Sequence, residues 1–210
     1  MAYSKHLTAL VRIVAGANRI LKERFERAGT AVKRLKDYAG IVTTADLAAD
    51  AYLRKAIRVR FPREMIVSEE DREVKRPAPV TWYVDPLDGT SNFTYGLPDF
   101  STCLARVEAG ETELAAIGIP ILGEIYAAER GRGAWRNGKR IHVPKKMTAR
   151  IPFCLLGVGR SPTETRRFKA FIRRAPLGEL RVRMLGSLAL EFAAVASGQA
   201  DAAIGMNVNL

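Results

Sequence analysis

Apolar residues recur at helical spacing early in the chain, with Leu7, Leu10, Val11, Val14, Leu21 and Phe25 on one face and Gly29 following as a stop. The pattern predicts a long amphipathic helix whose stripe enters the core. A second helix is predicted to start at Thr43 or Thr44, either of which can cap it, and to carry Ala49, Leu53 and Ile57 inward before Pro62 ends it. Asp46 falls in its first turn. From Ile66 the period shortens toward two, predicting strands over 65–68, 81–84, 101–107, 113–120 and 124–129. Residues 135–141 read as a hairpin, because Asn137-Gly138 supplies the positive φ values of a type I′ turn.

After Pro144 strands and helices alternate: a strand over 153–158, a helix over 163–174, a strand over 181–184, and a helix over 187–196 capped by Gly198. Residues 201–205 begin one more short strand. Two units are therefore expected, an N-terminal α+β domain over 1–145 built on an antiparallel sheet and an α/β unit over 146–210. With no closing helix after the last strand, the second unit is expected to be incomplete.

The chain has 210 residues, 48% of them hydrophobic, enough to bury a substantial core. The longest apolar run, 114–122, is far shorter than the roughly 20 residues of a membrane helix, and no signal segment precedes the first helix. The expectation is a soluble, cytoplasmic protein without membrane partners. Cys103 and Cys154 lie in no Cys-x-x-Cys or His/Cys spacing, which favours two reduced thiols over a disulfide framework or a zinc site. The net charge of +12 attracts phosphorylated ligands, nucleic acid or anionic lipid alike. The densest basic stretch, Arg19 to Lys36, is interleaved with apolar helix positions, so a solvated helical face is favoured over a nucleic-acid surface.

Chemistry concentrates in Trp82-Tyr-Val-Asp85-Pro86-Leu87-Asp88-Gly89-Thr90-Ser91-Asn92-Phe93, an apolar strand running into a turn rich in oxygen donors. Asp85 and Asp88 can aim two carboxylates at one point, and Pro86 helps present the Leu87 carbonyl as a third hard oxygen suited to magnesium. Gly89 leaves room for a phosphate, and the Gly89 and Thr90 N–H groups would face that anion if they opened a helix. Taken alone, Asp-Pro-x-Asp-Gly is as readily an ordinary turn. Ser68-Glu69-Glu70-Asp71 puts adjacent acids at a strand end, and alone reads as a solvated acidic loop. Asp46 alone is an acid in a helix's first turn, where acids are favoured. Together, within a strongly basic chain, the three groups become informative, since converging carboxylates repel unless cations neutralise them.

In these residues the chain resembles the inositol monophosphatase family of the magnesium-dependent sugar-phosphatase superfamily. That superfamily is marked by Glu-Glu after a strand and by Asp-Pro-hydrophobic-Asp-Gly-Thr-x-Asn-Phe. Val42-Thr43-Thr44-Ala45-Asp46, Gly131-Arg-Gly133-Ala134-Trp135-Arg-Asn137-Gly138 and Arg183-Met-Leu-Gly186-Ser187-Leu188-Ala189 are similar to further family segments. The resemblance implies a layered α-β-α-β-α sandwich and a phosphoric monoester hydrolase that uses two or three Mg2+ ions per site, with Mn2+ as a substitute. It implies that Glu69, Asp85 and the Leu87 carbonyl hold the first ion, Asp85 and Asp88 the second, and Asp46 with Glu69 a weaker third. Thr90 would orient the attacking water for direct in-line displacement without a phosphoenzyme. Leu87 to Thr90 would meet the substrate phosphate, and Gly186 and Ser187 its hydroxyl side. A homodimer acting on a small polyol or sugar phosphate is also implied.

Two departures qualify this. The family continues with a Trp-Asp motif whose Asp completes the second ion site, whereas this sequence ends at Leu210; if the polypeptide itself ends there, weak or absent activity and a tendency to associate or aggregate are expected. Inositol-selective members carry an acid where this chain has Gly205, which leaves fructose 1,6-bisphosphate and 3′-phosphonucleotides open as substrates. A non-catalytic binding protein, with nucleic acid as partner, is the alternative outside enzymology.

Overall fold

A computed structural model describes residues 3–28, 32–36, 40–71, 78–145, 150–158 and 162–206. The expected helix stop at Gly29 lies outside them. Helix α1 (Lys5–Ala28) starts where the Ser4 hydroxyl accepts from Leu7 N at 3.0 Å, and it buries Leu7, Leu10, Val14, Ala17 and Leu21 completely. A hairpin of β1 (Val32–Lys36) and β2 (Gly40–Thr43), which the hydrophobic pattern did not announce, leads into α2 (Thr44–Arg60). Helix α2 buries Ala45, Ala49, Leu53 and Ile57, the predicted face, and ends before Pro62 because proline cannot continue the hydrogen-bond ladder.

Seven strands follow in one sheet: β3 (Met65–Ser68), β4 (Val80–Asp88), β5 (Ser101–Glu108), β6 (Glu111–Ile119), β7 (Glu124–Glu129), β8 (Gly133–Arg136) and β9 (Lys139–Ile141). They pair in chain order, parallel between β3 and β4 and antiparallel thereafter. A short helix α3 (Thr90–Thr94) leaves the end of β4. The alternation along β6 divides two cores. Leu114 and Ala116 join α1 and α2 around Trp82, whereas Ile117 and Ile119 meet Leu190 and Ala193 on the opposite face.

Those last two residues belong to α5 (Leu188–Ala196), which packs against β5 and β6 on one side and β10 (Phe153–Val158) and β12 (Ala202–Met206) on the other. Strands β10, β12 and β11 (Arg181–Arg183) form a parallel three-stranded sheet in the order β11-β10-β12, against which α4 (Pro162–Arg174) packs. The fold is the mixed, layered helix–sheet sandwich anticipated from the sequence. Both cysteines are free, and no helix among the described residues is long and apolar enough to cross a membrane.

Candidate active site

Alternation along a strand would send Asp85 and Asp88, an odd number of positions apart, to opposite faces of the sheet. The structure avoids this with a bulge: Asp85 pairs with Cys103 and Asp88 with Ser101, so three steps on β4 match two on β5. The surplus residue brings both carboxylates to one side. It also takes the Pro86 and Leu87 carbonyls to side-chain hydroxyls. Thr102 Oγ1 donates to Pro86 O at 2.9 Å and Thr90 Oγ1 to Leu87 O at 2.9 Å. Proline suits this position because it has no N–H to lose from the ladder. Leu87 itself anchors the turn, its side chain buried with Leu21, Ala49, Phe93 and Phe100.

Glu69 arrives beside Asp85 because the parallel pairing of β3 and β4 continues one step past Ser68, with Glu69 N donating to Val84 O at 3.0 Å. Burial pushes the Asp85 carboxyl well above the usual range, and the charges of Glu69 and Asp88 push it further. Glu69 acts on Asp85 through hydrogen bonding as well as through charge, in the same upward direction. Cys103, opposite Asp85, is raised by burial and by Asp85 and Asp88, so it remains a thiol and no soft thiolate competes with the oxygens.

Asp46 does double duty. Its Oδ2 accepts from Thr43 N at 2.8 Å and from the Thr43 hydroxyl, completing a capping box on α2, while Oδ1 lies 3.4 Å from Thr90 Oγ1. Burial raises its pKa from 3.8 to about 6, against the lowering effect of the Thr43 hydrogen bonds. Thr90 opens α3, and Gly89 before it adopts φ +89°, where a Cβ would fall 2.9 Å from Asp99 O and 3.2 Å from Ser187 Cβ.

Asp88 reaches across to the second sheet's helix. Its Oδ2 accepts from Ser187 Oγ at 2.7 Å and from Ala189 N at 2.8 Å, at the N-terminus of α5, with Ser101 Oγ at 3.4 Å. Ser187 is completely buried, its hydroxyl engaged by Asp88 and by Ser101 at 2.9 Å, whereas neighbouring Gly186 is exposed. The Asn92 amide donates to Asp99 O and Leu185 O, both at 2.6 Å, tying α3 to the turn before α5. Glu191, completely buried, supports the same turn by accepting from Leu185 N at 2.8 Å, and burial raises its carboxyl.

Asp46, Glu69, Asp85, Leu87, Asp88, Gly89 and Thr90 thus gather at the ends of β3 and β4, with Gly186 and Ser187 closing on them from α5. Sequence reasoning missed Asn92, Ser101 and Glu191 as supports. It also missed a neighbouring ion-pair network in which Arg54 bridges Asp50 at 2.6 Å and Asp71 at 2.8 Å. The Asp50–Arg54 spacing on a helix was a readable signal; the link to Asp71 was not.

The donor set suits a hard divalent cation: it consists of oxygens, and the charges of Glu69 and Asp88 press on Asp85. As they stand, no group of three or more His, Cys, Asp or Glu side chains among the described residues is arranged to enclose an ion. The fit is one of chemistry, with one oxygen of Asp46 and one of Asp88 already committed to helix ends.

Comparison with known proteins follows the same lines. The profile of the inositol monophosphatase family matches residues 2–209. A fructose-1,6-bisphosphatase/inositol-1-monophosphatase of Thermotoga maritima is 37% identical over 178 residues, covering 85% of this chain and 67% of that protein. The Nus factor SuhB of Salmonella typhimurium is 33% identical over 202 residues, covering 93% of this chain and 74% of that protein. The solved structure of a Thermotoga maritima IMPase superposes with a TM-score of 0.84 at 32% identity, over 98% of this chain and 78% of that one.

Proposed function

Since the chain belongs to the inositol monophosphatase family, we propose that it is a Mg2+-dependent phosphomonoesterase acting on a small polyol or sugar phosphate such as inositol monophosphate. The observation that carries this reading is the β4 bulge, which turns Asp85 and Asp88 to one side beside Glu69. Glu69, Asp85 and the Leu87 carbonyl would hold one ion, Asp85 and Asp88 a second, and Asp46 with Glu69 a weaker third. Bound there, Mg2+ supplies charge neutralisation for the phosphate and lowers the pKa of water.

The chain's own residues do the rest. Thr90 spends its proton on the Leu87 carbonyl, leaving lone pairs to accept from and orient the attacking water. Asp46 Oδ1 lies beside that hydroxyl and helps to fix its position. Gly89 lets the turn close against Asp99 and Ser187, Gly186 meets the substrate's hydroxyl side, and buried Ser187 acts by holding Asp88. In this division of labour the 1–145 domain carries the ions and the 146–210 unit the far side of the substrate. A cytoplasmic homodimer goes with the same reading, and sedimentation velocity and cell fractionation test those two points.

A second substrate class has its own support. Gly205 on β12 pairs with Gly157 on β10, so no side chain stands where inositol-selective relatives carry an acid, and one relative is named for both fructose 1,6-bisphosphate and inositol 1-phosphate chemistry. The deciding experiment measures phosphate release from inositol 1-phosphate, fructose 1,6-bisphosphate and a 3′-phosphonucleotide in millimolar Mg2+. Magnesium-dependent turnover that Asp85→Asn abolishes is expected. Absence of turnover on all three, together with no ion bound in calorimetric titration, would overturn the proposal.

A further inference from the structure

Between α1 and α2 lies a groove of about 430 Å3 that shares no residue with the site above. Its floor is apolar and recessed, formed by Ala9 and Ile13, at 6% and 5% exposure, with partly buried Ala56 beside them. Val59 stands at its edge, 75% exposed. The rim is cationic on both sides: Arg12 from α1, Lys55 and Arg60 from α2, all exposed and none with a hydrogen-bonding or ion-pair partner among the described residues.

Cationic residues continue along both helices beyond the groove. Residues 5–22 contain Lys5, Arg12, Arg19 and Lys22 without one acid, and residues 51–63 contain Arg54, Lys55, Arg58, Arg60 and Arg63 without one acid. Of these, Arg54 is spent on Asp50 and Asp71, and Lys22 lies 3.9 Å from Glu26. From Tyr52 to Arg60 the α2 wall runs about 12 Å at 1.5 Å per residue, room for two apolar side chains one helical turn apart. A bilayer presses on side chains that protrude, whereas this floor is recessed and asks for side chains that reach in. A second copy meeting this groove with its own groove would set one cationic rim against another.

We propose that this groove docks an acidic amphipathic helix of a partner protein, its apolar face against Ala9, Ile13 and Ala56 and its carboxylates paired with Arg12, Lys55 and Arg60.

Fluorescence anisotropy with a labelled synthetic helix, leucines on one face and glutamates elsewhere, tests this on the full chain. Saturable binding is expected, weakened about 10-fold or more by Arg12→Glu/Lys55→Glu/Arg60→Glu and less than about 2-fold by Arg166→Glu/Lys169→Glu/Arg173→Glu, which changes net charge equally on α4. Val59→Ser, with no change of charge, is expected to weaken binding about 3-fold. All these side chains are exposed, and circular dichroism checks that each variant folds. Equal losses from the two triple variants would reduce the effect to bulk charge and overturn the proposal. So would absence of saturable peptide binding, or groove-dependent binding to phosphatidylglycerol vesicles in its place.

Discussion

Two groups of acidic side chains lie side by side at the junction of α2 and β3, and they are treated in opposite ways. Asp50 and Asp71 are gripped by Arg54, with the Ser68 hydroxyl at 2.7 Å from Asp50 and Ser68 N at 3.0 Å from Asp71. Every one of those contacts is structural. Asp85, one position past the Ser68–Val84 pair of the β3–β4 ladder, is set against Glu69 and Asp88, and its carboxyl is raised. The first group is paired with a cation supplied by the fold, whereas the second sets like charges beside one another, as the proposed ion site requires.

Mutations separate the two groups. Asp85→Asn is expected to lower kcat/KM by about 1000-fold, the equivalent of about 4 kcal/mol of lost charge stabilisation, while raising the melting temperature in EDTA. Both are read by phosphate release and thermal unfolding. Arg54→Ala should do the reverse. It leaves two largely buried carboxylates uncompensated and costs about 3 kcal/mol in urea unfolding, with kcat/KM changed less than about 10-fold.

The pH dependence sharpens the same contrast. The folded pKa of Asp46, about 6, stands above its ordinary 3.8, so the folded state binds this proton more tightly than the unfolded one. The resulting stabilisation is complete below pH 3.8 and is lost as pH rises through about 6, amounting to about 2–3 kcal/mol at most. Metal-free protein should therefore weaken over that window in denaturant titrations, and millimolar Mg2+ should remove the decline. The smallest effect is expected from Ser187→Ala, which deletes the α5 cap for about 1 kcal/mol and loosens Asp88, seen as weaker Mg2+ dependence of turnover at unchanged KM.

Much of this was legible in the chain. The two long helices, the order of strands and the Asn137-Gly138 turn follow from period and punctuation, because burial of one face is a local constraint. The acids stand out by their company, yet residue chemistry alone does not tell Glu69 from Asp71, two positions apart; only the family resemblance singles out Glu69. That distinction depends on Arg54, which reaches Asp71 across 17 residues. Ser187 was expected at the substrate, but its hydroxyl is turned inward to Asp88, since a serine that caps a helix and one that greets a ligand look alike in print. Hairpin β1–β2 escaped notice because its basic residues hide any alternation.

The bulge in β4 has a hereditary consequence. It is a matter of chain length, so no point mutation creates or erases it. A descendant that exchanges Asp85 for another residue keeps the scaffold and stands one reversion from recovery. A descendant that drops one codon between Asp85 and Asp88 keeps every acid of the motif, yet returns the Leu87 carbonyl to the strand ladder. In distant kin, counting the spacing is a better guide to surviving chemistry than counting the acids.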